Sequence, residues 1–202
     1  RIYFLPTIIN TPDENVLEGK NNFNRNKNVN KNIILISLKN LKTIKDFSLI
    51  LKQRNAAIKK KEDFSIWNKQ FSENARKIWL EKKMYEEKIN NQLKKIEQEF
   101  KTTKEPTIKI KKTIKNLEKI ENELVALKEK DIEKSTTTIG PQKDKIEYCF
   151  FGEEIKNKAS QGERSVFFSM LKKAEARTIK ESTKKEPIIL LDDILSKLDS
   201  KN

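Results

Sequence analysis

Two stretches late in this 202-residue chain constrain it more than anything before them. Lys158-Ala-Ser-Gln-Gly-Glu-Arg-Ser165 opens a span with helical spacing, carried by Val166, Phe167, Met170, Leu171 and Ala174. Pro187-Ile-Ile-Leu-Leu-Asp-Asp193 follows it. Ile188 to Leu191 form a short apolar run of the kind needed by a strand buried on both faces. A strand that delivers Asp192 and Asp193 to a sheet edge is a common way to hold Mg²⁺ against phosphates. Ser160-Gln161-Gly162, ahead of a helix, offers a hydroxyl and free backbone N–H groups to an anion. Each piece alone is also what a capped helix, or an apolar strand with an acidic end, would look like. Their order and spacing together point to half of a nucleotide-binding machine.

Composition limits what surrounds that centre. The hydrophobic fraction is 35% and the charged fraction 37%, against typical values of about 45–50% and about 25%. A core can therefore form over only part of the length, with solvated helix or loop elsewhere. The net charge of +14 and pI near 9.6 fit a polyanionic partner, nucleic acid or an anionic membrane. An AT-rich coding bias toward Lys, Asn and Ile gives the same excess. Cys149 is the one cysteine, so no intramolecular disulfide forms and a reducing compartment fits. There is no histidine, which removes Ser-His-Asp and Cys-His catalysis and His-containing zinc sites. No apolar run approaches the ~20 residues that span a bilayer.

Along the chain, Arg1 to Ile9 is apolar enough to begin a strand or helix. From about 11 to 32 the chain is polar, with Asn alternating with Lys, and reads as a flexible insertion. Ile33 to Lys61 returns to helical spacing through Leu38, Leu41, Ile44, Leu49 and Leu51. From Asp63 a long amphipathic helix is expected, with Trp67, Phe71, Ala75, Ile78, Tyr85, Ile89, Leu93 and Ile96 as a packing seam and Lys and Glu on its other faces. Pro106 is expected to stop it near Glu105. Periodicity leaves Thr107–Ile114 open between strand and helix. A second helix runs through Leu117, Ile120, Leu124 and Leu127. Gly140-Pro141 marks a turn, and Ile146 to Lys158 reads as a β-hairpin leading into Ser160.

Ser160-Gln-Gly-Glu-Arg-Ser165 resembles the signature motif of ABC-type ATPases, Ile188 to Asp193 their Walker B strand, and Ser196-Lys-Leu-Asp199 their D-loop. Within that class the chain resembles the RecF family of bacterial DNA repair proteins. Leu51-Lys-Gln-Arg-Asn55, Trp67-Asn-Lys-Gln70 and Thr136-Thr-Thr-Ile-Gly-Pro-Gln-Lys-Asp144 carry the resemblance upstream. It departs at Pro6, at Gln142, Lys143 and Lys145 in the turn, and at Lys197 in the D-loop. Lys keeps the charge of Arg but loses its bidentate fork, so the polar contacts of the turn are expected to weaken.

The resemblance implies an α/β fold: a partial ABC-type ATPase head, with signature helix and Walker B strand, and an inserted helical arm lobe. Residues 1–54 would finish the first lobe, 55–134 would form the arm, and 135–202 would return to the head. It selects a short strand for Thr107–Ile114. Ser160, Gln161 and Gly162 would touch the γ-phosphate of ATP held by the opposite subunit of a head-to-head dimer. Asp192 would hold Mg²⁺, Asp193 would orient the attacking water, and Asp199 would cross the dimer interface. The implied function is ATP-dependent dimerisation on DNA at junctions of single and duplex strands, with RecO and RecR, to support loading of RecA in the cytoplasm during the response to DNA damage. Affinity for DNA should fall steeply with salt. No Gly-x-x-x-x-Gly-Lys-Ser/Thr occurs. The chain is therefore expected to be a portion of a longer protein that does not hydrolyse ATP alone. A basic helical scaffold that binds nucleic acid, and an inactive relic, are the alternatives.

Overall fold

A computed structural model describes residues 41–187. The expected segments at 1–9 and about 11–32, the strand Ile188–Leu191 and the residues Asp192, Asp193 and Asp199 lie outside the described residues. The described elements run α1 (Leu41–Lys60), α2 (Asn68–Glu99), β1 (Thr107–Lys111), α3 (Ile120–Ala126), α4 (Lys128–Glu133), β2 (Lys145–Phe150), β3 (Glu153–Glu154), α5 (Ile155–Lys158) and α6 (Gln161–Thr183). Single 3₁₀ turns at Ser65–Trp67, Leu117–Lys119 and Pro141–Lys143 lead into α2, α3 and β2.

The described chain separates into two compact units. One takes residues 41–84 and 110–145. The other takes 85–109 and 146–187, so α2 contributes its first half to one unit and its second half to the other.

In the first unit the seam of α2 is buried as its spacing predicts. Phe71, Ala75, Ile78 and Trp79 pack with Phe47 and Ile50 of α1, Ile114, and Ile120 and Leu124 of α3. Burying side chains of this size stabilises by about 1.5–3 kcal/mol each, enough to order a unit with so much charged surface. Gly140 closes the turn before β2 at φ +126, where a Cβ would lie 2.6 Å from Phe71 Cζ. Glycine is required there on both counts.

In the second unit Ile89, Leu93 and Ile96 of α2 are fully buried, as are Phe167 and Ala174 of α6. Most of a three-stranded sheet, ordered β1-β2-β3, belongs to it. Strands β2 and β3 pair antiparallel, Cys149 with Glu154 and Phe150 with Glu153. The two residues between them, Phe151 and Gly152, both have positive φ, 50° and 76°. That backbone is the tight turn whose twist matches the flanking strands. The segment Thr107–Lys111 is a strand, the assignment that periodicity left open.

Three expectations are corrected. Helix α2 ends at Glu99 and not near Glu105. Lys101 adopts φ 50°, and Lys101 N–H donates to Gln98 O and Thr102 N–H to Glu97 O at 3.2 and 3.3 Å. This paired closure satisfies the last carbonyls before Pro106 is reached. The helix through Leu127 is broken there, because Leu127 departs from helical ψ and α4 restarts after it. The hairpin is shorter than expected: β3 has two residues, and Ile155–Lys158 is one helical turn.

Candidate functional site at the start of α6

Helix α6 starts at a local signal. Ser160 is its N-cap, in extended conformation, and Ser-x-x-Glu forms a capping box. Glu163 N–H donates to Ser160 Oγ at 3.3 Å. Glu163 Oε2 accepts from Ser160 N–H at 2.9 Å and from Ser160 Oγ at 3.1 Å. Arg164 N–H makes the first turn's bond to Ser160 O. The N–H groups of Gln161 and Gly162, at the first two helical positions, have no acceptor within the helix.

Ser160 and Gln161 are exposed and Gly162 is half-buried. Beyond its chain neighbours and the backbone of its own helix, no heavy atom lies within 4 Å of the position a Cβ would take at Gly162. The structure therefore brings Ser160, Gln161 and Gly162 together as one exposed helix start. Two outward backbone donors, a hydroxyl and the positive end of a 23-residue helix suit an anion presented from outside.

The acidic residue in the first turn of α6 is Glu163, and it is compensated. Lys104, in the connection between α2 and β1, donates to Glu163 Oε1. That bond, with those from Ser160, holds the Glu163 carboxyl down from 4.5 to about 2. Lys104 also fixes the neighbouring hairpin. Its carbonyl accepts from Phe151 N–H at 3.0 Å, and its ammonium lies 5.7 Å from the centre of the Phe150 ring.

The body of α6 rests on the second half of α2. Phe167, Met170, Leu171 and Ala174 are buried as their spacing predicts, while Val166 is 37% exposed. Phe167 meets Tyr148 and Phe150 edge to face. Tyr85 Oη donates to the buried Glu175 at 3.0 Å, and Gln92 donates to Glu181 at 2.7 Å. Glu99 accepts both Nη groups of Arg177, at 2.6 and 2.9 Å, and Lys173 Nζ at 3.0 Å. The Arg177 bonds first, then Lys173, lower the Glu99 carboxyl from 4.5 to about 2.

The upstream motifs belong to the first unit. They hold it together. Arg54, fully buried, donates Nε–H to Asn68 Oδ1 at 3.1 Å and Nη1–H to Asp131 Oδ2 at 2.8 Å and Thr137 Oγ1 at 2.6 Å. Asn55 Oδ1 accepts from the backbone and hydroxyl of Thr137. The guanidinium lies over Phe64 and Phe71, 5.0 and 5.8 Å from their centres. Burial lowers the Arg54 pKa, and the Asp131 bond opposes it.

Nearby, Asp144 Oδ2 accepts from Trp79 Nε1 and Lys82 Nζ, both at 2.8 Å, and Lys82 also donates to Pro141 O at 2.6 Å. Burial pushes the Lys82 ammonium down and the Asp144 carboxyl up. Asp144 and Lys82 thus anchor the turn around Pro141, while Lys143 and Lys145 are exposed.

Sequence reasoning missed Glu163, Lys104 and Lys82. The capping box was legible at Ser160 and Glu163. Nothing local marks Lys104 or Lys82, since each gains its partner only through tertiary folding. Among the described residues no group of three or more His, Cys, Asp or Glu could hold a metal ion, and no helix is long and apolar enough to cross a membrane.

No protein-family model matches the chain. The DNA replication and repair protein RecF of Clostridium perfringens strain SM101 is 33% identical over 163 residues, covering 78% of this chain and 44% of that protein. The protein of the same name from Lysinibacillus sphaericus is 28% identical over 205 residues, covering 93% of this chain and 55% of its own length. The chain thus spans about half the length of the curated relatives it matches. A solved structure of the recombination mediator protein RecF-ATP in the RecFOR pathway superposes with a TM-score of 0.73 at 23% identity, over 88% of this chain and 52% of that one. Over that span the chain shares the fold of that structure, helices combined with a small sheet. With homologous sequence over most of its length and that fold beneath it, the chain belongs to the RecF family.

Proposed function

We propose that this chain is part of a RecF-type DNA replication and repair protein, and that Ser160, Gln161 and Gly162 are its signature site for ATP. The observation that carries the reading is the exposed start of α6, with two outward N–H donors and a serine hydroxyl. In that role the three residues contact the γ-phosphate of ATP bound by a second subunit, and nucleotide closes a dimer. ATP supplies the acceptor that the two N–H donors lack within the helix, and takes the Ser160 hydroxyl over from Glu163 Oε2. The fit is supported by the open space at Gly162 and by a nearby carboxylate already paired with Lys104.

Asp192 is assigned to Mg²⁺, Asp193 to orienting the attacking water, and Asp199 to the subunit interface. The dimer acts on gapped DNA at junctions of single and duplex strands, with RecO and RecR as partners, and supports loading of RecA. A basic surface supports DNA affinity in general, so affinity alone does not separate this reading from a passive scaffold. A change in affinity on adding nucleotide does.

The test uses the intact protein with ATP and Mg²⁺. Ser160→Arg places a bulky cation at the helix start. It should abolish ATP-driven dimerisation, measured by sedimentation, and leave nucleotide binding by the monomer unchanged. Unaltered dimerisation of this variant would remove the site assignment.

A further inference from the structure

Lys104 has no part in the signature sequence, yet three segments of the second unit converge on it. It lies in the connection after α2. Its carbonyl takes the Phe151 N–H of the hairpin turn, its ammonium lies over Phe150 of β2, and the same ammonium bonds Glu163 in the capping box of α6. Glu163 is within one helical turn of Ser160 and uses its second oxygen to hold the Ser160 hydroxyl and N–H. Without a cation beside it, that carboxylate would stand next to the donors with its charge uncompensated. A bare acid at this position repels an approaching phosphate, and the repulsion is larger where the site is closed from water.

We propose that Lys104 is a positioning residue for the signature: it holds Glu163 in the capping box and cancels its charge, so that a triphosphate arriving from a second subunit meets donors and not an acid. The inference rests on the signature reading given above. It also gives the hairpin a route to that site, since Phe151 N–H is bonded to the carbonyl of the same lysine. An anion is accepted only while Lys104 is paired with Glu163.

The experiment measures ATP-dependent self-association of the intact protein by sedimentation for four variants. Lys104→Met removes the charge and keeps the length, and should weaken association about tenfold. Lys104→Arg keeps the charge and should stay within about twofold of the parent. The double variant Lys104→Met, Glu163→Gln removes the carboxylate as well, and should recover most of the loss. A lysine that served only as scaffold would not be rescued by deleting the acid it touches.

A double variant as weak as Lys104→Met alone overturns the proposal. So does a Lys104→Met protein that associates like the parent while Ser160→Arg blocks association; the signature assignment then stands without the positioning role. If Ser160→Arg is without effect, the signature assignment fails and the role of Lys104 falls with it.

Discussion

Arg54 shows what a single residue can hide. In sequence it sits in a cationic helical segment, Leu51-Lys-Gln-Arg-Asn55, and nothing local separates it from Lys52. In the fold it is fully buried and Lys52 is exposed. The difference lies in what surrounds each side chain: Phe64 and Phe71 flank the Arg54 guanidinium, and Asp131, Thr137 and Asn68 accept its protons. Arg54→Met should therefore cost about 3–5 kcal/mol, because it leaves Asp131 buried without its cation. Chemical denaturation of the parent and the variant would measure this. A loss under about 1 kcal/mol, the range of exposed pairs, would mean that the network is not holding the unit. Substitution of Lys52 is the control, since its side chain is exposed and should be near neutral.

At the level of elements, the described helices close without glycine. It has four glycines in all, and the left-handed positions after α1, α2, α4 and α6 are taken by Lys61, Lys101, Ser135 and Lys184, with φ between 50° and 58°. Paired backbone bonds follow at the first three, and Lys184 N–H donates to Lys180 O at 2.8 Å. Each such residue carries the steric cost of a Cβ in this conformation. Lys101→Gly should thus stabilise the fold by about 1 kcal/mol, the relief of strain outweighing the extra freedom of glycine in the unfolded chain. A lower melting temperature for this exposed-site variant would show that the side chain of Lys101 makes a compensating contact. These stops explain why boundaries were less legible than the helices themselves. The seam of α2 is a repeat over many residues, whereas its end depends on one backbone conformation that lysine does not advertise. The start of α6 was legible because a Ser-x-x-Glu box writes it locally.

For the molecule as a whole, acid should loosen the fold through carboxylates held below their ordinary range. Glu99 and Glu163 ionise at about 2 in the folded chain, against 4.5 ordinarily, and Asp63 and Glu133 are lowered as well. A carboxyl with a depressed folded pKa contributes stability that is fully present above its ordinary value. That contribution is lost as pH falls from 4.5 toward about 2. The melting temperature should drop across that window, and Glu99→Gln should flatten the drop by removing one of the contributing groups. A slope equal to that of the parent would place the acid sensitivity elsewhere.

The sequence by itself determined the seam of α2, the buried face of α6, the cap at Ser160 and the family, because periodicity, capping and motif order are written in neighbouring residues. Only the tertiary structure decided that Lys82 and Arg54 are buried, that Asp144 anchors the turn at Pro141, and that Lys104 reaches Glu163. Those pairings join residues far apart in the chain, and a charge is read as solvated until folding places a partner beside it.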